Sequence, residues 1–82
     1  MAKDRKTELP PDHIDRLKAI GEKITALRKE TGLSYEQFAI NNNIHRITYY
    51  NLEKGNNFNM STLLKVLDAH QISLAEFFDD LQ

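Results

Sequence analysis

An all-helical fold is what this sequence predicts, on two observations: apolar residues recur at steps of three and four, and caps and glycine stops punctuate the intervals between those runs. The length agrees. With 82 residues the chain has room for one small core, since domains run from roughly 50 to 200 residues. Hydrophobic residues make up 40% and charged residues 28%, which is ordinary for a globular protein and suggests neither disorder nor a membrane class. An elaborate enzyme is not expected at this size.

The elements follow in order. Met1 to Pro10 reads as a flexible polar arm, and Pro10-Pro11 ends it, with Pro11 suited to the first turn of a helix. Ile14, Leu17, Ile20, Ile24 and Leu27 then lie on one helical stripe, predicting a helix over about 11 to 31 that Gly32 closes as a left-handed cap. Ser34 stands three residues before Gln37, a capping-box spacing, and opens a short helix over 34 to 41 with Phe38 and Ala39 turned inward. The run Asn41-Asn42-Asn43 breaks it, because asparagine tolerates left-handed backbone and competes for backbone hydrogen bonds. A third helix over 45 to 54 has Tyr49 and Leu52 as its inner face and Gly55 as its cap. Met60, Leu63, Val66, Leu67 and Ala69 predict a fourth over 60 to 70, and Ser73 opens a last one over 73 to 80 with Leu74, Phe77 and Phe78. The expected core is Ile20, Ile24, Leu27, Leu33, Phe38, Ala39, Ile44, Tyr49, Leu52, Leu63, Val66 and Ile72.

Composition narrows the function. There is no cysteine, which removes disulfides, thiol catalysis and zinc-finger ligation and fits a reducing compartment, so the cytoplasm is expected. No apolar signal core opens the chain and nowhere do about 18 apolar residues run together, so no membrane partner is expected. His13, His45 and His70 fall on three different elements without metal-ligand spacing, and Asp79-Asp80 reads as a solvated acidic end, so no cofactor, metal or catalytic pair is predicted. The net charge of -1 is unusual for a nucleic-acid binder, but its distribution is polar: residues 1 to 30 carry eight basic and six acidic groups, and residues 58 to 82 one basic and four acidic.

Two short helices joined by a tight turn and supported by three others form the layout of a helix-turn-helix DNA-binding domain. The stretch Gly32-Leu33-Ser34-Tyr35-Glu36-Gln37-Phe38-Ala39, continuing through Ile44 to Leu52-Glu53-Lys54-Gly55, resembles the phage-repressor and Cro-like (XRE) family. Flanking pieces agree: Gly21-Glu22-Lys23-Ile24 and Leu27-Arg28-Lys29 upstream, Thr62 to Val66 and Ile72 to Phe78 downstream. The resemblance covers about residues 20 to 78 and implies a five-helix, lambda-repressor-like domain at residues 11 to 82, with its helix-turn-helix at about 34 to 54 and an N-terminally extended first helix. Three places depart from the family pattern: Tyr35 stands for a glutamine, Asn42-Asn43 for Leu-Gly, and His70-Gln71 for an apolar residue and glycine.

The resemblance implies a sequence-specific regulator of bacterial or phage type, a repressor that reads double-stranded DNA in the major groove with its third helix. Helical spacing puts Arg46, Ile47, Tyr50 and Asn51 on the outer face, and with Thr48 they are the candidate base-reading residues: Arg46 matches guanine, Asn51 adenine, and Ile47 or Thr48 a thymine methyl. The plainer alternative is a solvated helix face, which the apolar Ile47 and Tyr50 disfavour. Ser34, Tyr35, Lys54, Asn56 and Asn57 are the candidate phosphate contacts, with Lys3, Arg5 and Lys6 of the arm as further ones. Arg28 and Glu53 match positions that form a partly buried ion pair in the family. One recognition helix covers few base pairs, so a weak homodimer on a palindromic operator is expected, its contacts Phe77, Phe78 and Leu81 or, alternatively, Ile14 and Leu17, though these residues can equally complete the monomer core. Since the chain ends soon after the fifth helix, no separate sensor domain is expected. A second functional reading is an antitoxin or other protein-interaction module on the same fold, suggested by the low net charge and the aromatics Tyr50, Phe77 and Phe78.

Overall fold

The computed structural model describes residues 11–56 and 58–79 as five helices: α1 (Pro11–Thr31), α2 (Tyr35–Asn41), α3 (Arg46–Glu53), α4 (Met60–His70) and α5 (Leu74–Phe78). No strand occurs among the described residues, so the chain is all-α as its apolar periodicity predicts. The arm over 1 to 10 with Lys3, Arg5 and Lys6, together with Asn57, residue 80 at the expected end of the last helix and Leu81, lies outside the described residues.

Local chemistry sets the boundaries. Helices α2 to α5 each start behind a side-chain acceptor that takes an otherwise unpaired amide: Ser34 from Gln37 (3.1 Å), His45 Nδ1 from Ile47 (3.2 Å), Asn59 from Thr62 (2.9 Å) and Ser73 from Glu76 (3.1 Å). Two expectations change here. His45 caps α3 rather than forming its first turn. Ser34 and Gln37 form half a capping box, because the Gln37 amide donates to Asn41 at 2.8 Å instead of reaching back, whereas Ser73 and Glu76 form the full box.

Three helix ends close in the same way, with a left-handed residue and a pair of backbone bonds running back into the last turn. Asn43 (φ 57°) closes α2, with Ile44 donating to Ala39 at 2.9 Å; Gly55 (φ 77°) closes α3, with Asn56 donating to Asn51 at 2.9 Å. Gln71 (φ 58°) closes α4, with Ile72 donating to Leu67 at 3.0 Å. Asn43 and Gln71 thus perform the backbone task of the glycines they replace.

The core is built from Ile24 of α1, Phe38 and Ala39 of α2, Ile44 of the turn, Tyr49 and Leu52 of α3, Leu63, Val66 and Leu67 of α4, and Phe77 of α5. Four expected core residues, Ile20, Leu27, Leu33 and Ile72, pack against its rim and are only half-buried. Leu67 and Phe77 take fully covered places instead and Thr62 a buried one, since two adjacent positions on α4, Val66 and Leu67, both fall within the wide inward stripe of a core helix. Phe77 is therefore neither an exposed aromatic nor a dimer contact. It meets Phe78 edge to face at 5.0 Å, and Lys23 of α1 donates to its carbonyl at 2.7 Å. Phe78 is half-buried, so it too departs from the exposed reading. At the other end of the molecule Ile14 is exposed and Leu17 half-buried, so the first turns of α1 extend past the core.

Helices α1 and α3 approach backbone to backbone. Gly21 is buried where α1 crosses the end of α3, and a Cβ there would stand 2.5 Å from the Glu53 carbonyl oxygen and 2.8 Å from the Gly55 nitrogen. Any side chain at this point would force the helices apart. No helix of the described residues is long and apolar enough to cross a membrane.

Candidate nucleic-acid interface

The packing of α2 against α3 fixes which side chains share a surface. Tyr49 and Leu52 point into the core, which by helical spacing leaves Arg46, Ile47, Tyr50 and, more shallowly, Asn51 on the opposite face. Ile47 is 49% exposed and Tyr50 38%, both large apolar groups held in water on a short rigid helix. Thr48 is also exposed, at the edge of a shallow groove that it lines with Asn51, Phe58 and Asn59.

Three side-chain pairings order this face. Arg46 reaches back to the Glu36 carboxylate of α2 at 3.4 Å, both groups well exposed, so the contact steers the guanidinium more than it stabilises the fold. The Asn56 side chain donates to Asn51 Oδ1 at 3.2 Å and sets the orientation of that amide. Tyr35 opens α2 with its ring 5.2 Å from that of Tyr50, and the Lys54 ammonium lies 5.3 Å from the Tyr50 ring centre. The structure thus gathers Tyr35, Tyr50 and Lys54 into one cluster, while Arg46 and Asn51 pair with other partners, Glu36 and Asn56. Ser34 remains on the surface, its hydroxyl oxygen accepting from Gln37 while its proton stays available to donate. Asn56 is exposed beside Asn51.

Behind the face, Arg28 clamps Glu53 with both prongs of its guanidinium, Nε to Oε2 and Nη2 to Oε1, each at 2.9 Å, and its third nitrogen donates to the Leu33 carbonyl at 3.1 Å. The side chains retain 14% and 7% of their exposure, so the pair is largely withdrawn from water. Burial is the largest single influence on the Glu53 carboxyl and pushes it up, but the hydrogen bonds and charge of Arg28, together with the neighbouring Tyr49 and Thr25 hydroxyls, outweigh it and hold the group below the ordinary glutamate value. The same hydrogen bonds push Arg28 up. The Tyr49 hydroxyl lies buried beside the pair without a regular hydrogen bond, and burial followed by the neighbouring carboxylate pushes its ionisation up. This clamp ties the end of α1, the loop before α2 and the end of α3 into one unit, fixing α3 relative to the rest.

Two contributors escape the sequence reading, Glu36 and His45. Glu36 carried a usable signal as an acidic residue in the first turn of α2, and His45 as the residue just before α3, but only the crossing of the two helices reveals that Glu36 meets Arg46.

A family model described as helix-turn-helix matches residues 24–77, which spans Ile24 of α1 through Phe77 of α5. Among curated proteins and solved structures no significant match is found.

Proposed function

The chain belongs to the helix-turn-helix family of phage-repressor (XRE) type and is a DNA-binding regulator rather than a member of an enzyme family, and from this premise we propose that it is a cytoplasmic repressor that docks α3 in the major groove of a palindromic operator. The observation that carries the reading is the outer face of α3, where Ile47 and Tyr50 stay exposed beside Arg46, Thr48 and Asn51. Large apolar groups are exposed elsewhere too, but here they stand among side chains that can pair with base edges. A groove-reading face uses Ile47 against thymine methyls and Tyr50 toward the sugar-phosphate backbone, while Arg46 and Asn51 supply the paired hydrogen bonds that match guanine and adenine edges. Ser34, Tyr35, Lys54 and Asn56 frame this face as phosphate contacts, and the Arg28–Glu53 clamp holds the reading helix in place.

Two copies on one operator supply the specificity that a single eight-residue helix lacks. With Phe77 in the core, the apolar surface for a second copy is the projecting part of α1 around Ile14 and Leu17. Selection of bound duplexes from random DNA, followed by affinity against salt, tests the proposal. The expected result is an enriched inverted repeat whose affinity falls steeply as salt rises. Failure to enrich any sequence would sink sequence-specific repression.

A second reading, an antitoxin-like module that holds a protein partner, is favoured by Met60 (55% exposed) and Leu64 (41% exposed), one turn apart on α4. A protein complex formed through them would change little with salt where DNA binding collapses.

A further inference from the structure

Among the residues of the α3 outer face, Tyr50 differs from its neighbours in what covers it. Arg46 contacts one flexible carboxylate and Ile47 stands nearly half exposed, whereas Tyr50 is contacted by two groups, Tyr35 at the start of α2 and Lys54 at the cap of α3. The Tyr35 ring is tilted 53° to it at a centroid distance of 5.2 Å, and the Lys54 ammonium sits 5.3 Å from its centre. The order across the crease is phenol, phenol, ammonium. Its outer members, Tyr35 and Lys54, carry hydrogen-bond donors suited to phosphate oxygens, as does the hydroxyl of Tyr50 between them. The middle member, Tyr50, is the side chain that both of the others contact.

We propose that Tyr50 is a positioning residue, a strut that holds Tyr35 and Lys54 as a two-donor clamp for the DNA backbone, and not a reader of bases. This rests on the major-groove reading of α3 and specifies the task of one of its residues. The physical reason is preorganisation: a free lysine on a helix samples many rotamers and must be fixed at every binding event, while one lying against an aromatic ring is already restricted. Tyrosine is suited to the role because its rigid ring has only two rotatable bonds and offers Tyr35 a partner at ring-stacking distance. The strut carries no sequence information, so its loss weakens every duplex alike. A base reader behaves in the opposite way, since its loss changes preference at one position and leaves random DNA untouched.

The test measures affinity of the full chain for its selected duplex, for single-base variants of that duplex and for a scrambled duplex, each across a salt series. Tyr50→Ala is expected to weaken all of them in the same proportion, by about three- to tenfold, and to lower the salt dependence by about one phosphate's worth. Tyr50→Phe keeps the ring and restores most of that loss; Tyr50→Leu keeps apolar volume without a ring face and does not. In the double variant Tyr50→Ala, Lys54→Ala the second change costs less than it does alone, because the strut acts partly through Lys54. Thermal melting of each variant, unchanged at this surface position, separates the effect from unfolding. Loss of discrimination at one base position with scrambled-duplex affinity and salt dependence intact would overturn the strut in favour of base reading, and so would rescue by Tyr50→Leu equal to that by Tyr50→Phe. A wild-type chain that binds no duplex at any salt would instead overturn the DNA reading itself.

Discussion

Gly21 of α1 and Gly55 behind α3 meet with no side chain between them: a methyl on Gly21 would stand 2.8 Å from the Gly55 nitrogen, and one on Gly55 2.7 Å from the Lys18 Cα. Both obstacles are backbone, so no rotamer change relieves them. Gly21→Ala is accordingly expected to cost about 1 to 3 kcal/mol as an overpacking change, read as a lower denaturant midpoint with an unchanged slope. Gly32 supplies the control, because no atom lies within 4 Å of its virtual Cβ and only its φ of 80° opposes a side chain. Gly32→Ala should cost about 1 to 2 kcal/mol from backbone strain alone. Wild-type stability in Gly21→Ala would mean that the helices do not cross this closely.

The Arg28–Glu53 clamp makes a second prediction. Arg28→Ala strands a carboxylate in a largely dry site and should cost about 3 to 5 kcal/mol. Arg28→Lys should not restore it, since an ammonium cannot span both carboxylate oxygens. Removing both charges together, as Arg28→Met with Glu53→Leu, should cost less than either single loss. The pH dependence has a definite sign: with the folded Glu53 held below its ordinary value of 4.5, the stability it contributes is fully present above that value and is lost as pH falls through the folded one. Equal melting of Arg28→Ala and wild type at neutral pH would remove the clamp from the account of stability.

His70 makes a prediction in a different pH window. Its ring stacks on Phe38 at 5.0 Å with 13° between planes, and its Nε2 is buried without a hydrogen-bond partner. Burial pushes the imidazolium's pKa down against the opposing pull of Glu30, so the fold prefers the neutral ring. The unfolded chain takes up the proton near pH 6.5. Stability from this site is therefore complete above about 6.5 and falls as pH drops through the lower folded value. Denaturant midpoints at pH 7.5 and 5.0 check it: the difference should shrink in His70→Leu, and an undiminished difference would assign the acid sensitivity elsewhere.

On DNA, Arg46→Ala and Asn51→Ala are each expected to relax preference at one or two positions of a half-site, by about 1 to 3 kcal/mol against the wrong base. Lys54→Ala should weaken all sequences alike and lower the salt dependence by about one phosphate's worth. Undiminished affinity and discrimination in both Arg46→Ala and Asn51→Ala would show that α3 is not the reader.

Much of the fold is legible because it depends on local rules. Pro11, Gly32, the asparagine run and Gly55 mark boundaries that the backbone obeys, and Ser73 announces a complete capping box. What periodicity cannot give is how far a neighbouring helix covers a stripe: Ile20 and Leu27 stop at the rim, while Leu67 and Phe77 are sealed. The candidate site divides in the same way. Helical spacing is enough to turn Arg46, Ile47 and Tyr50 outward, since Tyr49 and Leu52 must face in. The pairings of Arg46 with Glu36 and of Tyr50 with Tyr35 depend on the angle at which α2 meets α3, which packing determines and no local pattern encodes.

Helices α2 and α3 have seven and eight residues, below the roughly 12 to 15 at which an isolated helix becomes even marginal in water. Their shape is lent to them by Phe38, Tyr49 and Leu52 in the core, and it vanishes when those contacts do. The face that α3 presents has no existence of its own and cannot loosen by degrees while the rest of the molecule persists. Any occupancy it achieves tracks the folded fraction directly, so once conditions bring the domain near its unfolding midpoint, a loss of one or two kcal/mol anywhere in the core, a five- to thirtyfold change in the folded-to-unfolded ratio, reaches that face as surely as a substitution on it. A warm or acidified cell would register on such a regulator as a change in how many copies are able to bind, with the recognition chemistry of each surviving copy unaltered.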